Sequence, residues 1–413
     1  MRRALVLAAL GALALPASAF AHATLIHTSP DFEQRVNVSP RTVTLTFDQY
    51  VEKLPHTIRL YSARGELPVA KVRDEGRSVV ATLRHLERGA YTVRWHAMSG
   101  DGHVVSGVFT FGVRMKAPPP TQAFGASGPT RTEDVVRWLY FLSLALVVGG
   151  LGFRLLVARR RLPGRFFVLT GIGVVATLDV GIAAFLLRAE DALQLPFARL
   201  LYGDLSPMAR TRFGTAFVAM TLGFSLVAAL LFLAWLTDRD LFLWPAFVLG
   251  LLLVSGLSLS GHSAADAGSS WTSELADWAH LAAACLWIGG LIQLAVVVWP
   301  LLPELRRPAF LAFSRLATVC VGVLLLAGVY LAILRLPQLD DLWTTTYGRV
   351  LLVKIGLVAL AFAWGGLHKL RAVPAVERGG ALPKLRASIA GESMVGMIVL
   401  LVAAILVNAN PPR

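Results

Sequence analysis

Cysteine is almost missing from this chain of 413 residues: there are two, Cys285 and Cys320, and both sit inside apolar runs. The N-terminal third has none, so any domain there folds without disulfides. Charged side chains are scarce as well, at 15% against 56% hydrophobic residues. That balance excludes a purely soluble protein and points to several membrane spans. Acidic residues are the rarer sign, 25 against 39 basic, for a formal net charge of +14. In a membrane protein such an excess follows from the bias of Lys and Arg towards cytoplasmic loops, so it is not read as nucleic-acid binding. No nucleotide loop, ATPase motif, aromatic-interleaved basic patch or internal repeat is found.

What is present divides into four parts. Residues 1–21 read as a secretory signal peptide: Arg2 and Arg3, an apolar stretch, then Ala19-Phe20-Ala21 as the cleavage site. Residues 22–115 read as an all-β domain. Short runs rich in β-branched and aromatic residues at 42–48, 57–62, 79–83, 91–96 and 104–113 are separated by turn signals, and a sandwich of seven or so strands fits the length. Residues 116–134 form a linker through Pro118-Pro119-Pro120. Residues 135–407 form an all-α membrane domain. Eight apolar segments are long enough to span a bilayer, at 135–157, 166–187, 213–236, 241–260, 274–299, 309–334, 349–370 and 385–407. With the β domain outside, the inner loops hold Arg159, Arg160, Arg161, Arg306, Arg307, Lys369 and Arg371. The external segments 262–273 and 336–347 hold no Lys or Arg. This asymmetry sets both termini of the mature chain outside a cytoplasmic membrane.

Cleavage after Ala21 makes His22 the first residue. Its α-amine and Nδ1 can close a chelate ring on one ion, and nitrogen ligands in a square-planar set suit Cu(II). Asp101 and His103 are two apart just before the last strand, so in extended backbone they project to one side. Together with His22 they offer three nitrogens and one oxygen. The alternative is a tight Asp101-Gly102 turn beside a surface histidine. The His22-Ala23-x-Leu25 start, Thr28-Ser29-Pro30, and Asp101-Gly102-His103-x-Val105-Ser106-Gly107 resemble the periplasmic copper-resistance protein C (CopC) family. The resemblance implies a cupredoxin-like or Ig-like sandwich and a Cu(II) site at His22, Asp101 and His103. Some members carry a methionine-rich Cu(I) site. This domain has only Met98 and Met115, so none is expected here. His27, His56, His85 and His96 are read as ordinary strand or loop histidines.

Ionisable residues inside spans are costly and mark function by default. Asp277 and His280 are three apart, on one helix face, and a hairpin at 263–273 would bring His262 near them. Histidine with carboxylate is a relay or coordination pair for copper, or else a hydrogen bond that orients two helices. Glu392 with Met394 and Met397 is a further candidate set, because thioethers suit Cu(I); methionine packing is its bland alternative. Lys354 is expected to pair with Glu392 or Asp179, His368 to be a simple interfacial histidine, and Cys285 to be a packing residue. Ser260-Gly261-His262, Asp277-x-x-His280, Trp287-x-Gly289-Gly290, Tyr347-Gly348 with Lys354, and Glu392, in that order along eight spans, resemble the copper-resistance protein D (CopD) family. The chain end, Asn408-Ala409-Asn410-Pro411-Pro412, departs in part from the ending of that family.

These readings converge on copper handling at the bacterial inner membrane: capture of Cu(II) outside and movement inward, with Cu(I) or Cu(II) in the membrane domain. The expected partners are the copper ion, the lipid bilayer and copper chaperones, not nucleic acid. No catalytic residue is assigned, and the chain is read as a non-enzyme. Sequestration or export without import is the alternative. A copper monooxygenase built on the His22 chelate and a membrane haem protein using His262, His280 or His368 are the competing classes.

Overall fold

The computed structural model describes residues 23, 25–100, 102, 104–117, 131–193, 205, 212–254, 256, 271–336, 338–378 and 385–408. The N-terminal part is a two-sheet sandwich. Its strands are β1 (Leu25–Ser29), β2 (Arg35–Val36), β3 (Thr42–Phe47), β4 (Val51–Ser62), β5 (Gly65–Leu67), β6 (Lys71–Glu75), β7 (Ser78–Thr82), β8 (Gly89–Ser99) and β9 (Val104–Val113). One sheet runs β1-β3-β7-β6 and the other β2-β9-β8-β4-β5. Every pairing is antiparallel except β2 with β9.

Period-two alternation builds the core. Val43, Leu45 and Phe47 of β3 are buried against Val93 and Trp95 of β8 and Phe109 and Phe111 of β9. Phe47 meets Trp95 edge-on, with ring centroids 5.4 Å apart. The Tyr91 hydroxyl donates to the Glu87 carbonyl at 2.8 Å and pins the entry to β8. Strand β4 begins well before the run that the pattern predicts. Pro55 supplies no N–H, and His56 stands at φ 58. The ladder with β8 shifts register between Lys53 and Ile58, so the strand passes through a bulge that breaks its alternation.

The C-terminal part is a bundle of α1 (Arg131–Ala158), α2 (Gly164–Leu193), α3 (Arg212–Thr237), α4 (Asp240–Leu253), α5 (Trp271–Leu301), α6 (Pro303–Arg335), α7 (Thr346–Glu377) and α8 (Leu385–Asn408). Seven are long and apolar enough to cross a bilayer, and α4 is shorter. The expected fourth span, 241–260, lies partly outside the described residues. Helix α1 starts at Arg131, four residues ahead of the apolar run, so the end of the expected linker is helical. Helices α1 and α5 form the centre: 83% and 72% of their apolar windows are buried, against 11% for α7. They approach closely because Gly149 and Gly289 face each other, and a Cβ on Gly289 would overlap the Ala145 carbonyl.

Contacts at the two ends of the bundle fix which end is which. At one end of the bundle, Arg160 pairs with Glu304 at 3.3 Å, Arg161 pairs with Asp238, and the buried Arg154 reaches Asp240 at 2.5 Å. At the other, Leu54 and Met98 of the sandwich pack against Phe185 and Ala189 of α2, with Val104 and Phe217 around them. Residues 164 and 189 of α2 are ~37 Å apart along an ideal helix. The arginine-rich turns and the sandwich therefore occupy opposite ends of the bundle.

Candidate functional site

His22, Asp101, His103 and His262 lie outside the described residues. Their neighbours do not. The backbone N–H of Ala23 donates to Ser99 Oγ at 3.1 Å. The segment following His22 is thus tied to the end of β8, two residues before Asp101. Gly102 N–H donates to the Ser99 carbonyl at 2.9 Å, and Gly102 adopts φ 81, a left-handed conformation that suits glycine. Gly102 is thus held at Ser99, the last residue of β8. Met98 and Val104, the residues flanking 99–103, both belong to the apolar cluster against α2.

His96 stands further along β8, and its Nε2 is buried without a hydrogen-bond partner. Burial pushes the imidazole below its ordinary pKa, with smaller effects from a hydrogen bond to Pro55 and from Arg59 and His56. Met98 is 1% exposed and held among apolar side chains.

In the bundle, Asp277 and His280 share one face of α5, as their spacing predicts, and both line a cavity of about 190 Å³. Arg335, Tyr347 and Lys354 line it too, with Arg137 from α1. Asp277 Oδ2 lies 3.5 Å from Arg335 Nη2, and Arg335 also hydrogen-bonds Tyr347. Lys354 thus faces Asp277 and Arg335, not Glu392 as expected, and Asp179 is exposed elsewhere. Among the described residues, the cavity lining has one carboxylate, already committed to a guanidinium, beside further cations. An imidazole nitrogen is the free donor: His280 Nδ1 is buried without a hydrogen-bond partner and lies against Gly328, where the missing side chain leaves room. Trp287 and Phe362, with ring centroids 5.8 Å apart, line the cavity at its far end. Among the described residues no three of His, Cys, Asp and Glu converge on a metal position.

Arg335 and Arg137 were absent from the sequence candidates. The available signal was position: each is an arginine at the end of a span that faces the sandwich, against the usual bias. Cys285 is a buried packing residue, and its carbonyl lies where a Cβ on Gly149 would go.

The expected grouping of Glu392, Met394 and Met397 does not form. Glu392 is 4% exposed, whereas Met394 is 60% exposed on another face of α8. Positions two apart on a helix point in different directions. The Glu392 carboxylate instead meets His368, Nδ1 to Oε2 at 2.9 Å. His368 is accordingly no simple interfacial histidine.

Comparison with known proteins covers most of the chain. Residues 25–114 match the CopC domain family, 133–273 the N-terminal domain of copper resistance protein D-like proteins, and 307–406 the copper resistance protein D family. The chain belongs to the copper-resistance CopC and CopD families, joined in one polypeptide. The copper transport protein CutJ of Bacillus subtilis is 27% identical over 431 residues, covering 96% of this chain and 76% of that one. Protein YobA of Escherichia coli is 33% identical over 24% of this chain and 82% of its own length. The copper resistance protein D of Pseudomonas syringae pv. tomato is 30% identical over 40% of this chain and 58% of its own. The crystal structure of CopC from Methylosinus trichosporium OB3b covers 22% of this chain and 93% of that protein at 31% identity, with a TM-score of 0.21. The CopC part of this chain is the sandwich, and the CopD part is the helical bundle.

Proposed function

We propose that this CopC–CopD fusion captures Cu(II) outside the cytoplasmic membrane and passes copper inward through the helical bundle. Signal-peptide cleavage leaves His22 as the N-terminal residue, and His22, Asp101 and His103 hold the ion. The observation that carries this reading is the docking of Met98 and Val104 on α2. Two of the three proposed ligands fall in sequence between Met98 and Val104, and the residue after His22, Ala23, is hydrogen-bonded to Ser99. Capture and acceptance then occur within one molecule, at an effective concentration no free carrier reaches. The arginine-rich turns at the opposite end support a cytoplasmic location for that end.

The outer cavity is the acceptor. His280 Nδ1 offers the first ligand, and Asp277 joins on release from Arg335. The surrounding cations oppose a long stay by a cation, which favours transit over storage. The protein acts as a carrier, not an enzyme. The test compares Cu(II) affinity of the chain starting at His22 with that of a chain carrying one extra residue before it. The extension removes the chelate ring, so a large loss of affinity is expected. Equal affinity would sink the capture site.

A further inference from the structure

A second polar cluster lies at the end of the bundle away from the sandwich, and neither the capture site nor the cavity uses it. Trp364 and His368 are four apart on α7; Ser388 and Glu392 are four apart on α8. The spacing puts each pair on one face. The indole N–H of Trp364 donates to Ser388 Oγ at 2.8 Å. His368 Nε2 lies 2.7 Å from the same Oγ, and His368 Nδ1 lies 2.9 Å from Glu392 Oε2. Indole is a donor only, so Ser388 Oγ must accept from it. Its own O–H is then free to donate to Nε2, while Nδ1–H donates to the carboxylate.

This geometry holds a proton without moving a heavy atom. When His368 Nε2 is protonated, rotation of the Ser388 hydroxyl turns Oγ from donor into acceptor. The pair passes from neutral imidazole with carboxylate, net charge −1, to imidazolium with carboxylate, net charge zero. Two glycines allow the approach: a Cβ on Gly365 would stand 3.3 Å from Glu392 Oε1, and one on Gly391 2.9 Å from the Trp364 ring. Helix α7 changes to π geometry at His368–Ala372, a feature that recurs at functional sites.

Among the described residues, His368 is the ion-pair partner of Glu392. From α6, Phe310 meets the His368 ring at a centroid distance of 6.1 Å. Arg307 of α6 donates to the Glu377 carbonyl, and Arg315, Lys369, Arg371 and Arg386 are exposed. From α5, Ile288 faces Gly396 on α8. Trp287 and Phe362 line the outer cavity, whose lining includes none of Trp364, His368, Ser388 and Glu392.

We propose that His368 and Glu392, with Ser388 between donor and acceptor roles, form a proton site loaded from the cytoplasmic face and coupled to copper movement. Ionisable pairs inside helical bundles are the usual parts of proton relays. The coupling rests on the transport reading above; the proton site does not.

The experiment has two arms on the full-length protein. In the first, copper-free protein is titrated with pH and followed by infrared difference spectroscopy. An imidazole protonation signal beside an ionised carboxylate is expected, lost in His368→Gln and shifted in Ser388→Ala. In the second, liposomes containing the protein and a pH dye are given ionic Cu(II), in parallel with and without ascorbate. One exchanging proton makes uptake change by up to about tenfold per pH unit, and Glu392→Gln is expected to flatten that slope to less than about twofold. Infrared signals unchanged by His368→Gln overturn the proton site. An unaltered slope in Glu392→Gln overturns the coupling. Wild-type liposomes that accumulate no copper at any pH overturn the coupling and the transport reading together, while the infrared arm still decides the site.

Discussion

Single side chains decide the chemistry at both ends of this molecule. His96 is buried in the sandwich with its pKa held down by desolvation, so the fold favours the neutral ring. The unfolded chain then takes up the proton first. The contribution of this residue is complete above about pH 6.5 and is lost as pH falls below that value. Amide protection along β8 and β9 in the intact protein, corrected for the intrinsic slowing of exchange in acid, should therefore fall on mild acidification, and His96→Asn should blunt the change. In the bundle, Arg335→Gln leaves Asp277 without its guanidinium. A loss of up to about 3–5 kcal/mol is expected from removing one partner of a buried pair. The double change with Asp277→Asn should recover most of it, read as the thermal midpoint in detergent. Equal midpoints for the single and double variants would show that the pair is not coupled.

At the scale of strands and helices, the close meeting of α1 and α5 is the critical contact. Gly289→Val places branched carbons where the Ala145 carbonyl lies. Overpacking of this kind costs about 1–3 kcal/mol where neighbours yield, and main chain at a helix crossing yields poorly. Reduced yield of monodisperse protein and a lower midpoint are expected; wild-type behaviour would mean that the helices cross elsewhere. The same scale shows what the sequence made legible. Strand β3 was readable from its uninterrupted period of two, and the long helices from the length of their apolar runs. The start of β4 was hidden by Pro55 and the bulge at His56, and the short edge strands β2 and β5 carry too few residues to show any period. Asp277 with His280 was legible from spacing within one helix. Arg335, Tyr347 and the His368–Glu392 pair depend on which helices are neighbours, and no single-helix pattern contains that.

At the scale of the whole chain, the sandwich is not a loosely tethered bead. Met98, 1% exposed, and Leu54 seat it on α2 through Phe185 and Ala189. Met98→Asp should unseat the sandwich without unfolding the bundle. Faster protease cleavage between the two domains and slower copper hand-over are expected, with Cu(II) affinity of the capture site kept. The central claim is inward movement of copper through the bundle. Its most direct test is copper in the cytoplasmic fraction of cells at limiting external copper, at matched membrane levels of each form. The forms compared are the intact protein, a chain lacking residues 22–115, and the Asp277→Ala/His280→Ala double variant. Higher cytoplasmic copper with the intact protein, reduced by the deletion and abolished by the double variant, is the result expected. Unchanged or lower cytoplasmic copper, with the metal retained outside on the sandwich, would contradict import and leave sequestration as the role of the chain.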